Sequence, residues 1–189
     1  MTRFATELGA SPGRGAYAEA REAGALMQRC RERIVALVGG AAPEQVIFTL
    51  NATDALNLAI RGLLRPGDHA VTTRFEHNSV LRPLNRLVEE RGISQTRVEC
   101  DPVTGLVDPD AIRRAIGPRT RLVALVHASN VTGTLQPVAA VGRITREHGV
   151  PLLVDAAQSL GHVPLDVERD QIELVAFPGH QGLLGPLGT

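Results

Sequence analysis

Apolar and polar positions along this chain follow two rhythms. Between Ala16 and Val38, Met27, Cys30, Ile34 and Leu37 recur at spacings of three and four, which predicts a helix with one apolar stripe. Gly39-Gly40 ends it. Beyond that point short apolar runs alternate with amphipathic ones. "VIFT" (46–49) reads as a buried strand and "NATDALNLAIRGLL" as a helix closed by "RPGD". "HAVTT" (69–73) reads as a strand, followed by a helix through "NSVLRPLNRLVEERG". "SQTRVEC" is a strand, and "DPDAIRRAIG" a helix opening on an Asp cap. "RLVALVHA" (121–128) is a strong strand, and "PVAAVGRITREHG" a helix with Pro near its start and Gly at its end. "PLLVDAA" and "IELVAF" complete the strand set.

Strands separated by helical crossovers predict an α/β fold with a mostly parallel sheet. No repeat or composition break divides the chain, so it reads as one domain: an N-terminal segment and helix over 1–40, then the sheet portion over 41–189. In such sheets ligands lie beyond the carboxyl ends of the strands. The loops expected there are "TLNATDALN", "TTRFEHNSV", "VHASNVTGTLQP", "VDAAQSLGHVP" and "FPGHQGLLGP", and the polar residues gather in them.

Composition narrows the possibilities. The formal net charge is zero across 189 residues, which gives no sign of a nucleic-acid partner or a membrane surface. The N-terminus carries no apolar run of the signal-peptide kind, so a cytoplasmic address is expected. Two cysteines, Cys30 and Cys100, make neither a disulfide framework nor a metal spacing. The six histidines show no pairing suited to zinc, and no metal is expected. All 20 basic residues are Arg and the chain contains no Lys, a bias that plentiful Ala, Gly and Pro relate to genome composition. Whatever its origin, it removes lysine chemistry. A P-loop is excluded with it, and no G-x-G-x-x-G follows the first strand.

The candidate chemistry lies in the loops. Asp155 ends an apolar strand, a costly place for a carboxylate without a positive partner. It is either a cap for the next loop or the carboxylate that keeps a pyridinium nitrogen protonated, with Gln158 three residues on to meet the ring's phenolic oxygen. Thr53 opens a helix, either as part of an ordinary cap or as a phosphate cradle. His77 is either a polar loop residue or a ring lying flat on a cofactor.

In order along the chain, "VIFTLNATDALNLAIRGLL", "TTRFEHNSVLRPL", "VHASNVTGTLQP", "LVDAAQSLGHVPLDV" and "FPGHQGLLGPLGT" resemble the class V aminotransferase group, nearest its cysteine desulfurase and selenocysteine lyase branch. The resemblance implies the three-layer large domain of fold type I pyridoxal phosphate (PLP) enzymes, incomplete here at both ends. It implies that Ala52 and Thr53 meet the phosphate and that His77 stacks on the ring. Asn130 would sit by the ring oxygen and the incoming amino acid, Asp155 at the ring nitrogen, Gln158 at the ring oxygen and His180 at the phosphate. The cofactor implied is PLP, and the reaction is removal of sulfur or selenium from cysteine or selenocysteine, leaving alanine. The partner is then a small amino-acid substrate, together with a second copy in a homodimer or a complementing chain.

Gln181 stands where the resemblance places the family's Schiff-base lysine. A carboxamide nitrogen is delocalised into its carbonyl, so it neither condenses with an aldehyde nor shuttles a proton at a substrate Cα. Pro178 stands where desulfurases usually carry a serine. The resemblance also places beyond Thr189 the small C-terminal domain, the arginine for the substrate carboxylate and the nucleophilic cysteine. Cys30, on the helical stripe, and Cys100, at a strand end, read as structural. The expectation is a desulfurase-like domain without turnover of its own, holding PLP at most non-covalently. The alternatives are a non-catalytic binding or scaffold protein and an engineered Lys-to-Gln variant of a working enzyme.

Overall fold

The computed structural model describes residues 4–188, apart from the side chain of Ala5. Contacts divide the chain into two compact units, Met1–Ile47 and Phe48–Thr189. The first holds a short π-helix (Phe4–Leu8), helix α1 (Ala18–Val38) and a 3₁₀ turn (Pro43–Gln45). Gly39, at φ 66°, terminates α1 in the left-handed region, as the Gly-Gly pair predicts. The expected apolar stripe of α1 is not a buried one. Met27 and Ile34 are half-buried, Cys30 is exposed and Leu37 is 46% exposed. Within its own unit the helix meets the π-helix and the 3₁₀ turn, too little surface to cover a 21-residue helix.

The strand expected at 46–49 is also absent. Val46 has extended dihedrals, yet Ile47 is 70% and Phe48 44% exposed, and no described strand pairs with them. Alternating apolar residues specify an extended backbone; a ladder also needs a neighbour to bond with.

In the second unit the alternating elements form as expected. Helix α2 (Ala52–Leu63) begins at Asn51, whose side-chain oxygen accepts from the Asp54 N–H at 2.9 Å. Strand β1 (His69–Thr73), helix α3 (Asn78–Arg91) and strand β2 (Ser94–Val98) follow. The predicted strand through "VEC" stops at Val98, and Cys100 makes only an isolated antiparallel bridge to Val107. Helix α4 (Pro109–Ala115) starts at Asp108, which accepts from the Asp110 N–H at 3.0 Å. Strand β3 (Thr120–Val126), helix α5 (Val138–Glu147) and strands β4 (Leu152–Asp155) and β5 (Leu174–Ala176) complete the unit.

The five strands are all parallel, in the order β2-β1-β3-β4-β5. Side chains alternate across the sheet. One face presents Ala70, Leu122, Ala124, Leu153 and Ala176 to Leu56 and Ile60 of α2 and to Val80, Leu84 and Leu87 of α3. The other presents Val71, Val123, Leu125, Leu152 and Val154, with α4 packed on β1 and β2 and α5 on β4. Helices on both faces explain why the central strands read as unbroken apolar runs. Among the described residues, no helix is long and apolar enough to cross a membrane.

Candidate functional site

The strand order contains a reversal. From β1 the chain places β2 on one side, then crosses to place β3 on the other. Loops leaving the carboxyl ends of β1 and β3 therefore diverge, and a crevice opens between them. It forms a cavity of about 280 Å³. Ala52 and Thr53 reach it from the start of α2, His77 from the start of α3 and Asn130 from the loop after β3. Asp155 ends β4, Gln158 lies three residues on, and His180 with Gln181 comes from the loop after β5. All eight candidate residues thus line one cavity. Cys30 and Cys100 are not among its lining.

Asp155 is 3% exposed and receives the Ala157 N–H at 3.0 Å. Burial pushes its carboxyl above the ordinary carboxylate range, opposed by the Ala157 hydrogen bond and by electrostatic attraction to the nearby His77 ring. No ion pair reaches it among the described residues, and no arginine lines the cavity. A buried acid facing a cavity in this state is a place for a cationic ligand atom.

At the mouth, the starts of two helices are tied together. Ser79 donates its backbone N–H to His77 Nδ1 at 3.1 Å, and its hydroxyl lies 2.8 Å from both His77 Nδ1 and Thr53 Oγ1. With Nδ1 accepting a backbone N–H, the ring proton resides on Nε2. The first-turn N–H groups of Ala52 and Thr53 lie at the positive end of α2, on the cavity wall. His180 Nδ1 is buried without a partner among the described residues.

The loop carrying Gln181 is held by backbone. Gly185 N–H donates to the Gly179 carbonyl at 2.7 Å, and Leu184 N–H to the Gln181 carbonyl at 3.0 Å. A Cβ on Gly182 would lie 2.0 Å from the Leu160 carbonyl oxygen, and one on Gly161 (φ +91°) would lie 2.5 Å from the Gly182 oxygen. Only glycine permits this approach. Gly182→Ala should therefore displace the loop and destabilise the fold by about 1–3 kcal/mol, read as a lowered thermal midpoint; an unchanged midpoint would show that the loop yields freely.

Three features escaped the sequence reading. Glu76, in the turn after β1, is 6% exposed; its Oε1 accepts from the Thr73 hydroxyl at 2.7 Å, and its Oε2 is buried without a partner among the described residues. Burial raises its pKa to about 8, aided by the nearby Asp155 charge and opposed by hydrogen bonds from Thr73 and from the Val126 N–H. Ser79 went unremarked as a second helix residue. Gln136 is buried, donates to the Gly105 carbonyl at 2.8 Å and accepts from the Val107 N–H at 2.9 Å, pinning one carboxyl-end loop to another. In sequence all three are polar residues in or beside turns, and only the Thr73–Glu76 spacing of three residues hints at a local bond.

An aminotransferase class-V family model matches residues 1–189. A probable cysteine desulfurase of Methanothermobacter thermautotrophicus is 42% identical over 190 residues, covering 100% of this chain and 47% of that protein. A cysteine desulfurase IscS of Anaeromyxobacter dehalogenans is 36% identical over 190 residues, covering 98% of this chain and 46% of that protein. The apo structure of a cysteine desulfurase from Thermococcus onnurineus NA1 superposes with a TM-score of 0.91 at 32% identity, covering 99% of this chain and 47% of that one. The chain spans about half the length of the curated relatives it matches.

Proposed function

This chain belongs to the class V aminotransferase family, as a cysteine desulfurase-like domain, and we propose that its cavity is a non-covalent cradle for pyridoxal phosphate. The whole protein's reaction would be sulfur or selenium removal from cysteine or selenocysteine, giving alanine. This chain would not turn over alone, because it contains no lysine and presents Gln181 in the anchoring loop.

One observation carries the reading: Asp155, buried, lining the cavity and without a cationic partner among the described residues. The other donors suit the same group. Its phosphate would take the N–H groups of Ala52 and Thr53, the Thr53 hydroxyl and the unpartnered His180 Nδ1. His77 would flank the ring, and Asn130 and Gln158 would serve its phenolic oxygen. When bound, PLP supplies an electron sink for an amino acid's Cα. The protein's part is to keep a proton on the ring nitrogen through Asp155 and to orient the ring. Pro178 lines the cavity but brings no N–H, so the phosphate would rest on helix α2 and His180.

An absorbance titration of PLP into the purified chain tests this, run beside Asp155→Asn. The native chain should perturb the spectrum saturably. Loss of the charged partner should weaken binding about ten- to a hundredfold, the worth of a hydrogen bond to a charged group. No saturable change in the native chain, or equal affinity in the variant with its melting curve intact, would sink the reading.

A further inference from the structure

Between helices α2 and α3 lies a second cavity, of about 540 Å³, outside the one that the eight candidate residues line. We infer that it binds a condensed phosphate, a di- or triphosphate group that is either free or carried on a nucleoside. The two cavities meet at Thr53, His77 and Ser79. The groups that select this ligand lie farther along the helices, and their role holds whether or not PLP binds.

Cross-links at both ends build the groove. Thr53 and Ser79 join the helix starts at 2.8 Å. Farther along, Glu90 of α3 accepts from Arg86 Nε at 2.6 Å and meets Arg61 of α2 at 3.5 Å. The helices therefore start side by side and run in the same direction, with a channel between the two links. From Thr53 to Arg61 that channel follows about 12 Å of helix.

Charge defines the ligand. Arg61, Arg82 and Arg86 all line the cavity, and no carboxylate does. The chain as a whole has zero net charge, so this concentration is local. Glu90 partly neutralises Arg61 and Arg86. Arg82 has no acid partner among the described residues, and neither its guanidinium nor the Asn78 amide makes a hydrogen bond there. Arg82 and Arg86 are one turn apart on the same face of α3, a repulsion that no internal acid offsets at Arg82. The positive ends of α2 and α3 add to the same field. An anion from solution resolves it. A single phosphate would satisfy only one part of a channel this long. A chain of phosphates can accept from Asn78 at the helix start, from Arg82 one turn on, and from Arg86 and Arg61 beyond. Guanidinium forks take phosphate oxygens in pairs, which suits arginine to this task.

Calorimetric titration of the purified chain tests this, at low ionic strength without divalent cations, using tripolyphosphate, ATP, orthophosphate and citrate. Tripolyphosphate is expected to bind saturably, at least about tenfold tighter than orthophosphate, the worth of one further charge-assisted hydrogen bond. Added NaCl should weaken it. ATP binding tighter than tripolyphosphate assigns the site to a nucleotide, and equal or weaker binding assigns it to the free phosphate chain; either supports the inference. Arg82→Gln, at an exposed side chain, should keep the melting curve and lose about tenfold in tripolyphosphate affinity. Arg143→Gln, at an exposed arginine of α5 outside the groove, should lose nothing. Citrate or a polyglutamate peptide binding as tightly as tripolyphosphate overturns the inference. So does the absence of saturable binding by tripolyphosphate and ATP, or an Arg82→Gln affinity no weaker than that of Arg143→Gln.

Discussion

Replacing Gln181 by lysine should turn a non-covalent binder into one that forms a borohydride-reducible adduct with PLP. Residue 181 already lines the same cavity as Asp155, His77 and His180. An amine introduced there would meet a ligand held in place, and intramolecular geometry of that kind raises effective concentration by many orders of magnitude. Apparent affinity should rise at least about a hundredfold, limited by how well the new side chain is aimed. The chain makes the experiment clean. It has no other lysine, so a reduced adduct mapped by peptide mass spectrometry to position 181 has no side-chain competitor. The adduct should decline sharply when Asp155→Asn is added. A folded Gln181→Lys variant that is never trapped by borohydride would show that the loop does not face a bound ligand, and the cavity would need another occupant.

The second large effect is on stability and its dependence on pH. Glu76 has a pKa of about 8 against an ordinary value of 4.5, chiefly from desolvation. Between those values the folded chain holds a proton that the unfolded chain has released. Stability from this group is therefore present in full below about pH 4.5, falls as pH rises, and is lost once pH passes about 8. The pKa gap of 8 less 4.5 corresponds to about 3–5 kcal/mol over the window. Asp155 slopes the same way; His69 and His127, lowered by burial, slope oppositely. Only the comparison with a variant isolates Glu76. Glu76→Gln keeps an acceptor for the Thr73 hydroxyl and the Val126 N–H but has nothing to titrate. Urea midpoints measured from pH 5 to 8.5 should fall more steeply for the native chain, and the variant should be the more stable near pH 8. Parallel slopes would mean that water reaches the Glu76 carboxyl and that it ionises normally.

How far the sequence could be read follows from where each residue is buried. Strands β1, β3 and β4 were legible because they are covered on both faces, so Val71, Leu122 to Leu125 and Leu152 to Val154 form continuous apolar runs between turn residues. Helix starts were legible at Asn51 and Asp108, whose side chains take up first-turn N–H groups. Ile47 and Phe48 misled because apolar alternation does not reveal whether a pairing neighbour exists. Met27 and Ile34 lie on the helix their spacing predicts, but a stripe shows which face seeks burial, not what covers it. The eight candidate residues line one cavity because parallel topology carries every βα loop to one end of the sheet. Glu76 could not be recognised. Its neighbours Arg74 and His77 are exposed, and only the fold turns its carboxyl inward behind Thr73.

The hydroxyl of Ser79 has one proton to share between His77 Nδ1 and Thr53 Oγ1. If it is given to the imidazole, the Thr53 hydroxyl must give its own to Ser79 and can then meet a ligand only as an acceptor. An anion at the start of α2 demands the reverse. Thr53 then points its proton at the anion, Ser79 gives its proton to Thr53, and His77 Nδ1 keeps the backbone N–H alone. Occupancy at one helix terminus is thereby written into the polarity of a three-member relay and delivered to the imidazole at the other, with no atom heavier than hydrogen required to move.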